Sequence, residues 1–194
     1  MVEEIEVKRK VFVIVEQIGE RSYKVERKGH FYFLKKYEDD VKGFQNFIDA
    51  EHHLRVSGVA CPKCLTYDKK TRVAVSDFIE GTNCLEILKN EELSEEVIEG
   101  LFKTFWYARS DKLFLDYKPE NFIYRDGKLF YLPYRYDKYV NNNDFIQKDI
   151  RLWFFTKEFV KYCHDKGISV DESRLKSDYE VNKNIALMTV KYYR

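Results

Sequence analysis

Between Lys10 and Lys36 apolar and polar positions alternate with the two-residue period of extended chain, which predicts strands. Val11, Val13 and Val15 alternate with Phe12, Ile14 and Glu16, Gly19 breaks the run, and shorter stretches follow at 23–25 and 31–35. Arg27-Lys28-Gly29-His30 marks a turn between two of them. Connections this short join antiparallel neighbours, because a parallel crossover needs a dozen residues or more. The period then changes. Phe44, Phe47, Ile48, Glu51 and Leu54 fall at helical spacing within 39–56, and Ser57-Gly58 supplies a stop. Two more strands are predicted at 65–67 and 73–78 around the turn 68–71, giving a five-stranded antiparallel sheet with one helix.

Beyond Ile79-Glu80-Gly81 the pattern becomes mainly helical. Leu93, Val97, Ile98, Leu101, Phe102 and Phe105 line one face of a long helix, with Ser94 as N-cap, Glu95 and Glu96 in the first turn, and Leu93 able to staple onto Ile98. Asp126-Gly127 sits between 121–124 and 129–132 and predicts a two-residue hairpin turn. Helices are expected over 145–162 and 177–193. The fold class read from this pattern is α+β, with residues 1–80 as a sheet lobe and 81–194 as a small helical lobe.

Composition narrows the classes of function. With 194 residues, 44% hydrophobic and 35% charged, the chain can bury a core without staples and is neither disordered nor of low complexity. Lys+Arg number 34 and Asp+Glu 33, so no overall charge draws the protein to nucleic acid or anionic lipid, and no nucleic-acid partner is expected. The acidic start MVEEIEVKRK lacks the basic region of a signal peptide, and no apolar run approaches the roughly 20 residues of a membrane span, so a cytoplasmic protein is expected. Rich use of Lys, Glu and Tyr with little Met leans towards a thermophile. Cys61-Pro-Lys-Cys64 has the spacing of a redox or metal pair, but no second pair completes it, and Cys61, Cys64, Cys84 and Cys163 read as small reduced residues. His52 and His53 are adjacent on a helix and cannot share a face as metal ligands. The clusters 105–107 and 153–155 read as core aromatics.

The most informative segment is Asp116-Tyr117-Lys118-Pro119-Glu120-Asn121, between the long helix and the hairpin. It resembles the catalytic loop of the protein-kinase-like superfamily. The resemblance implies Asp116 as the base at an acceptor hydroxyl, Lys118 steadying the transferred phosphoryl group, and Asn121 on a magnesium ion, a set that suits phosphoryl transfer. The surrounding order agrees. Ile18-Gly19-Glu20-Arg21-Ser22-Tyr23-Lys24-Val25 resembles a degenerate glycine-rich loop retaining only Gly19. Tyr32-Phe33-Leu34-Lys35 is similar to the strand whose lysine holds the α- and β-phosphates, with Lys36 on the opposite strand face. Glu51 points a carboxylate towards the sheet, where a Lys35–Glu51 ion pair would offset its burial. Asp77-Phe78-Ile79-Glu80-Gly81 resembles the hinge that meets adenine, which implicates Asp77 and Ile79. Asp149, in 147–152, resembles the aspartate that braces the catalytic loop from below.

The resemblance covers roughly residues 10 to 155 and implies a two-lobed fold binding ATP and Mg2+. It also implies a phosphotransferase whose acceptor, protein or small molecule, the sequence does not name. Two departures stand out. Where the family has its metal-binding Asp-Phe-Gly aspartate this chain has Pro133, in Tyr131-Leu132-Pro133-Tyr134-Arg135, and Phe114 replaces the usual His or Tyr two residues before the catalytic aspartate. Asp137 is the nearest substitute carboxylate and Glu120 a poorer one. The alternative reading is a pseudokinase that keeps the fold and nucleotide but acts as a regulatory or scaffolding protein. The chain is also short of the late helices that dock peptide substrates.

Overall fold

The computed structural model describes residues 3–140 and 145–192. Its first part is an antiparallel sheet of six strands rather than five: β1 (Glu4–Val7), β2 (Lys10–Gly19), β3 (Ser22–Arg27), β4 (His30–Lys36), β5 (Cys64–Asp68) and β6 (Val73–Asp77), in the order β1-β2-β3-β4-β6-β5. The strand missed by periodicity is β1. It is held by a tight turn in which Lys8 and Arg9 take positive φ values of 48° and 63°, a conformation for which Asn and Gly are the usual sequence signals. The expected turn at 28–29 does carry its glycine, with φ of 54° at Lys28 and 77° at Gly29. The sheet curls far enough that β1 approaches β5, and Lys8 Nζ lies 4.9 Å from the centre of the Tyr67 ring. Val7, Phe12, Val25, Leu34 and Val75 are sealed together by this curl, each 1% exposed or less.

Helix α1 (Val41–Val56) crosses between β4 and β5 in the chain and connects two cores. Asp40 caps it by accepting the Gly43 N–H at 2.8 Å, and Gly58, at φ 84°, follows its end. Its first half buries Phe44 and Phe47 with Tyr37 and Ala74. Its second half sends Ala50 and Leu54 into the core of the helical part. The two parts are therefore joined by shared apolar burial as well as by the chain.

The second part contains β7 (Thr82–Asn83), α2 (Cys84–Asn90), α3 (Glu95–Ser110), β8 (Leu113–Phe114), β9 (Phe122–Arg125), β10 (Lys128–Tyr131), β11 (Asp137–Lys138), α4 (Phe145–Lys148), α5 (Lys157–Asp165) and α6 (Asp178–Tyr192). Ser94 caps α3 as expected, and Val97, Leu101, Phe102, Phe105 and Ala108 form its buried stripe. The Asp126-Gly127 hairpin joins β9 to β10 with both φ values positive. Seven-residue α2, capped by Asn83, is too short to announce itself by periodicity. The single helix expected over 145–162 is broken. After α4 the chain makes a 3-10 turn at Ile150–Trp153, and α5 restarts under Thr156, whose hydroxyl donates to Arg151 O and accepts from Phe159 N–H. The break turns the Trp153 indole inward, where it is 1% exposed. The final helix lies where expected, with Tyr193 outside the described residues. The architecture is mixed α+β, a sheet region followed by a mainly helical one. No helix among the described residues is long and apolar enough to cross a membrane.

Candidate functional site

A cleft of about 640 Å³ opens between the sheet and the second part. The sheet contributes Ile18, Phe33 and Lys35, the 77–79 linker contributes Asp77, Phe78 and Ile79, and α1 contributes Asn46 and Phe47. The far wall is Asn121 with Leu132, Pro133, Tyr134 and Arg135. Strand alternation decides which lysine enters. Lys35 lines the cleft, its Nζ 5.0 Å from the Tyr37 ring centre, whereas Lys36 Nζ lies over Tyr23. The Ile79 N–H, past the end of β6, donates to no protein group among the described residues.

The segment 116–121 is held from several sides. Asn121 Nδ2 donates to Asp116 O at 3.0 Å, closing the loop on itself. Trp153 Nε1 donates to Tyr117 O at 2.7 Å from below, and Tyr117 is itself buried. Tyr131, fully buried, accepts the Asp116 N–H at 3.3 Å and donates to Arg135 O at 3.0 Å, so one hydroxyl fixes two backbones. The Asp116 carboxylate meets two cations: Arg135 Nη2 donates to one oxygen, and Lys118 Nζ stands 3.5 Å from the other. Asp149 is half-buried nearby. Burial, and then the Asp116 charge, push its carboxyl above the usual range.

Several expected placements differ. The Lys35–Glu51 ion pair is not formed: Glu51 pairs with Arg55 one turn on, at 3.5 Å, and no carboxylate of the described residues lies within 4 Å of Lys35 Nζ. The reason is position along the helix. Gly43, Asn46 and Phe47 face the cleft, and Glu51, on nearly the same face as Phe47 but one turn further along the axis, stands past it towards Cys61 and Cys64. Burial first, and then the Glu51 charge, push both thiols up to about 11, so they are protonated at neutral pH. Gly19 does not line the cleft. It ends β2 opposite Ser22 in a tight turn braced by Gln17 Nε2, which donates to Gly19 O and Glu20 O, and the neighbouring Ile18 reaches the cleft instead.

Asp137 also lies off the lining. It is exposed on β11, paired with Phe114 of β8, because this two-residue ladder turns the chain away after Arg135. Asp149 was expected to brace the loop, but the direct brace is the Trp153 indole. Asp77, Ile79 and Asn121 do lie along the cleft, and Asp116 and Lys118 stand together beside Arg135.

Comparison of the sequence with protein-family models and with curated proteins finds no match. The site must be read from its own groups. Among the described residues no set of three or more His, Cys, Asp or Glu is placed to hold a metal ion. A magnesium site wants several hard oxygens at close range. Here Pro133 offers no side-chain ligand, Asp116 is engaged by Arg135 and Lys118, and Asn121, with its amide nitrogen on Asp116 O, offers a single oxygen, Oδ1, where several are needed. These residues do not fit Mg2+.

Sequence reasoning missed Arg135, Tyr131 and Trp153. Each acts through a partner 15 to 36 residues away, and no local spacing signals that. The Tyr134 ring, likewise, lies 4.5 Å from that of Phe47 and its hydroxyl donates to Pro62 O at 2.6 Å, wedging α1 against the far wall.

Glu120 points away from the cleft, to α5. Its Oε1 accepts from Tyr162 and from Lys166 Nζ, the latter at 2.7 Å. Burial raises its pKa, but the hydrogen bonds from Lys166 and Tyr162 outweigh that and hold it below its ordinary 4.5. A depressed carboxylate stabilises the fold fully above its unfolded pKa and loses that contribution as pH falls through the folded value. In urea titrations Glu120→Gln should therefore cost about 1–2 kcal/mol at neutral pH. The gap to wild type should close below pH 4.5; a gap that stays constant on acidification would contradict this.

Proposed function

We propose that the chain is a nucleotide-binding protein of kinase-like, two-lobed build that acts by binding, as a regulatory or scaffolding pseudokinase. The observation that carries this reading is the lining of a single cleft. Lys35, the 77–79 linker, Asn121 and the 132–135 segment come from four separate stretches of sequence and face one space. These are the stretches in which the resemblance implies phosphate contact, adenine contact and the catalytic loop. The volume suits a nucleoside with part of its phosphate chain, since ligand clefts run to roughly 300–1,000 Å³. Lys35, without a carboxylate partner, is available to a phosphate; the Ile79 N–H is available to a nucleobase edge.

Binding is favoured over transfer by the state of Asp116. A base must reach the hydroxyl proton it removes, and here the carboxylate is shared between Arg135 and Lys118. The phosphotransferase reading keeps one observation in its favour, the closed Asp116–Asn121 loop with Lys118 beside it. Calorimetric titration with ATP separates the readings. Wild type should bind saturably, and Lys35→Ala should weaken binding about tenfold, as expected for one charge-assisted hydrogen bond. Phosphate release from ATP should be no faster with wild type than with Asp116→Ala. Absence of binding would remove the nucleotide reading, and release that depends on Asp116 would favour transfer to an acceptor.

A further inference from the structure

We infer that Arg135 supplies from the protein itself the positive charge that a divalent cation would otherwise bring, so that the cleft takes a nucleotide's polyphosphate without Mg2+. This deepens the nucleotide reading and rests on it. A guanidinium has five N–H donors in a rigid fork and stays charged at any working pH. One nitrogen, Nη2, is spent on Asp116. The side chain is otherwise 63% exposed and lines the cleft, so the remaining donors are open to an anion. It can thus bridge a carboxylate to a phosphate, the geometry a bridging metal provides.

The position is built rather than incidental. The Tyr131 hydroxyl holds the Arg135 carbonyl and the Asp116 amide together, and Tyr131 has no exposure through which that hydroxyl could be hydrated instead. The neighbouring charges agree in sign. Lys118 stands on the other oxygen of Asp116, and Lys35 enters the same cleft from the sheet, so the cleft carries two cations of its own, Lys35 and Arg135, with Lys118 beside Asp116. Of the carboxylates that line the cleft, Asp40 is turned to the α1 amide it caps, and Asp77 belongs to the linker end. A dication placed beside Asp116 would compete with the guanidinium for the same carboxylate oxygen and meet it as a like charge. The Arg135 charge and the proline at 133 are thus complementary: one removes the metal's ligand and the other removes the need for the metal.

The test is a set of titrations of the full chain with ATP and with adenosine, in EDTA and in excess Mg2+, on wild type, Arg135→Ala and Arg135→Lys. ATP should bind wild type in EDTA more tightly than adenosine does, with no more than about a threefold gain from Mg2+. Arg135→Ala should lose about tenfold or more in ATP affinity in EDTA, the worth of a charged hydrogen bond, while adenosine affinity stays unchanged. Arg135→Lys should recover part of the loss. Unchanged adenosine binding also reports that the variants remain folded. If adenosine binds but ATP in EDTA binds no tighter, or if Arg135→Ala binds ATP like wild type, the inference fails and the nucleotide reading stands. If neither ligand binds, the reading fails and the inference falls with it.

Discussion

Trp153→Ala should lower the unfolding free energy by about 3–5 kcal/mol, the usual cost of emptying a large buried aromatic site. The side chain is 1% exposed and packs edge-on to Phe122, ring centres 5.2 Å apart. Its indole N–H is also the donor to the Tyr117 carbonyl, inside the segment that carries Asp116 and Lys118. The milder Trp153→Phe separates these roles. It keeps most of the apolar volume but leaves the carbonyl without its partner, at about 1–3 kcal/mol. Chemical denaturation should place Trp153→Phe between wild type and Trp153→Ala. Equal stability of Trp153→Phe and wild type would mean that the brace contributes only volume.

Gly81 should be nearly as intolerant, for a different reason. It ends the linker between sheet and helical part, just before β7 pairs with β9, and any Cβ there would stand 2.5 Å from Ile123 Cγ2 and 2.7 Å from the Tyr124 carbonyl oxygen. The second neighbour is backbone in a strand and cannot turn aside. Gly81→Ala should cost about 1–3 kcal/mol as strand and linker are pushed apart, and Gly81→Val more. Because Asp77 and Ile79 lie immediately upstream in the cleft wall, the same substitution should weaken ATP binding together with stability. Denaturation and calorimetry on the two variants check this; a wild-type melting curve for Gly81→Val would show that linker and hairpin are not in contact.

The sequence was most legible where a side chain announces its own backbone. Asp126-Gly127 demands positive φ, Ser94 presents a capping oxygen, and the Val/Phe alternation of β2 can belong only to a strand. It was least legible where a distant partner decides. Lys8 and Arg9 make a tight turn without turn residues because β1 finds its place against β2 and near β5. The 145–162 stretch has helical periodicity throughout, but Trp153 gains more from the Tyr117 carbonyl and the aromatic core than from continuing a helix. The site divides the same way. Lys35, Asp77, Ile79 and Asn121 sit along the cleft because local order in the chain was enough to place them. Glu51 was misplaced by one helical turn, Gly19 by one residue of a strand end, and Asp137 by a two-residue ladder. Arg135 had no signal at all, since its role comes from meeting Asp116 19 residues away.

The central proposal is a nucleotide in the cleft between the sheet and the wall formed by Asn121 and residues 132–135. The ATP titration followed amide by amide in nuclear magnetic resonance spectra tests this most directly. Saturable shifts should appear at the backbone amides of Ile79, Lys35 and Arg135, on both walls of one cleft, with the exposed end of α6 unmoved. Shifts confined to surfaces away from these residues, or none at saturating ATP, would contradict it.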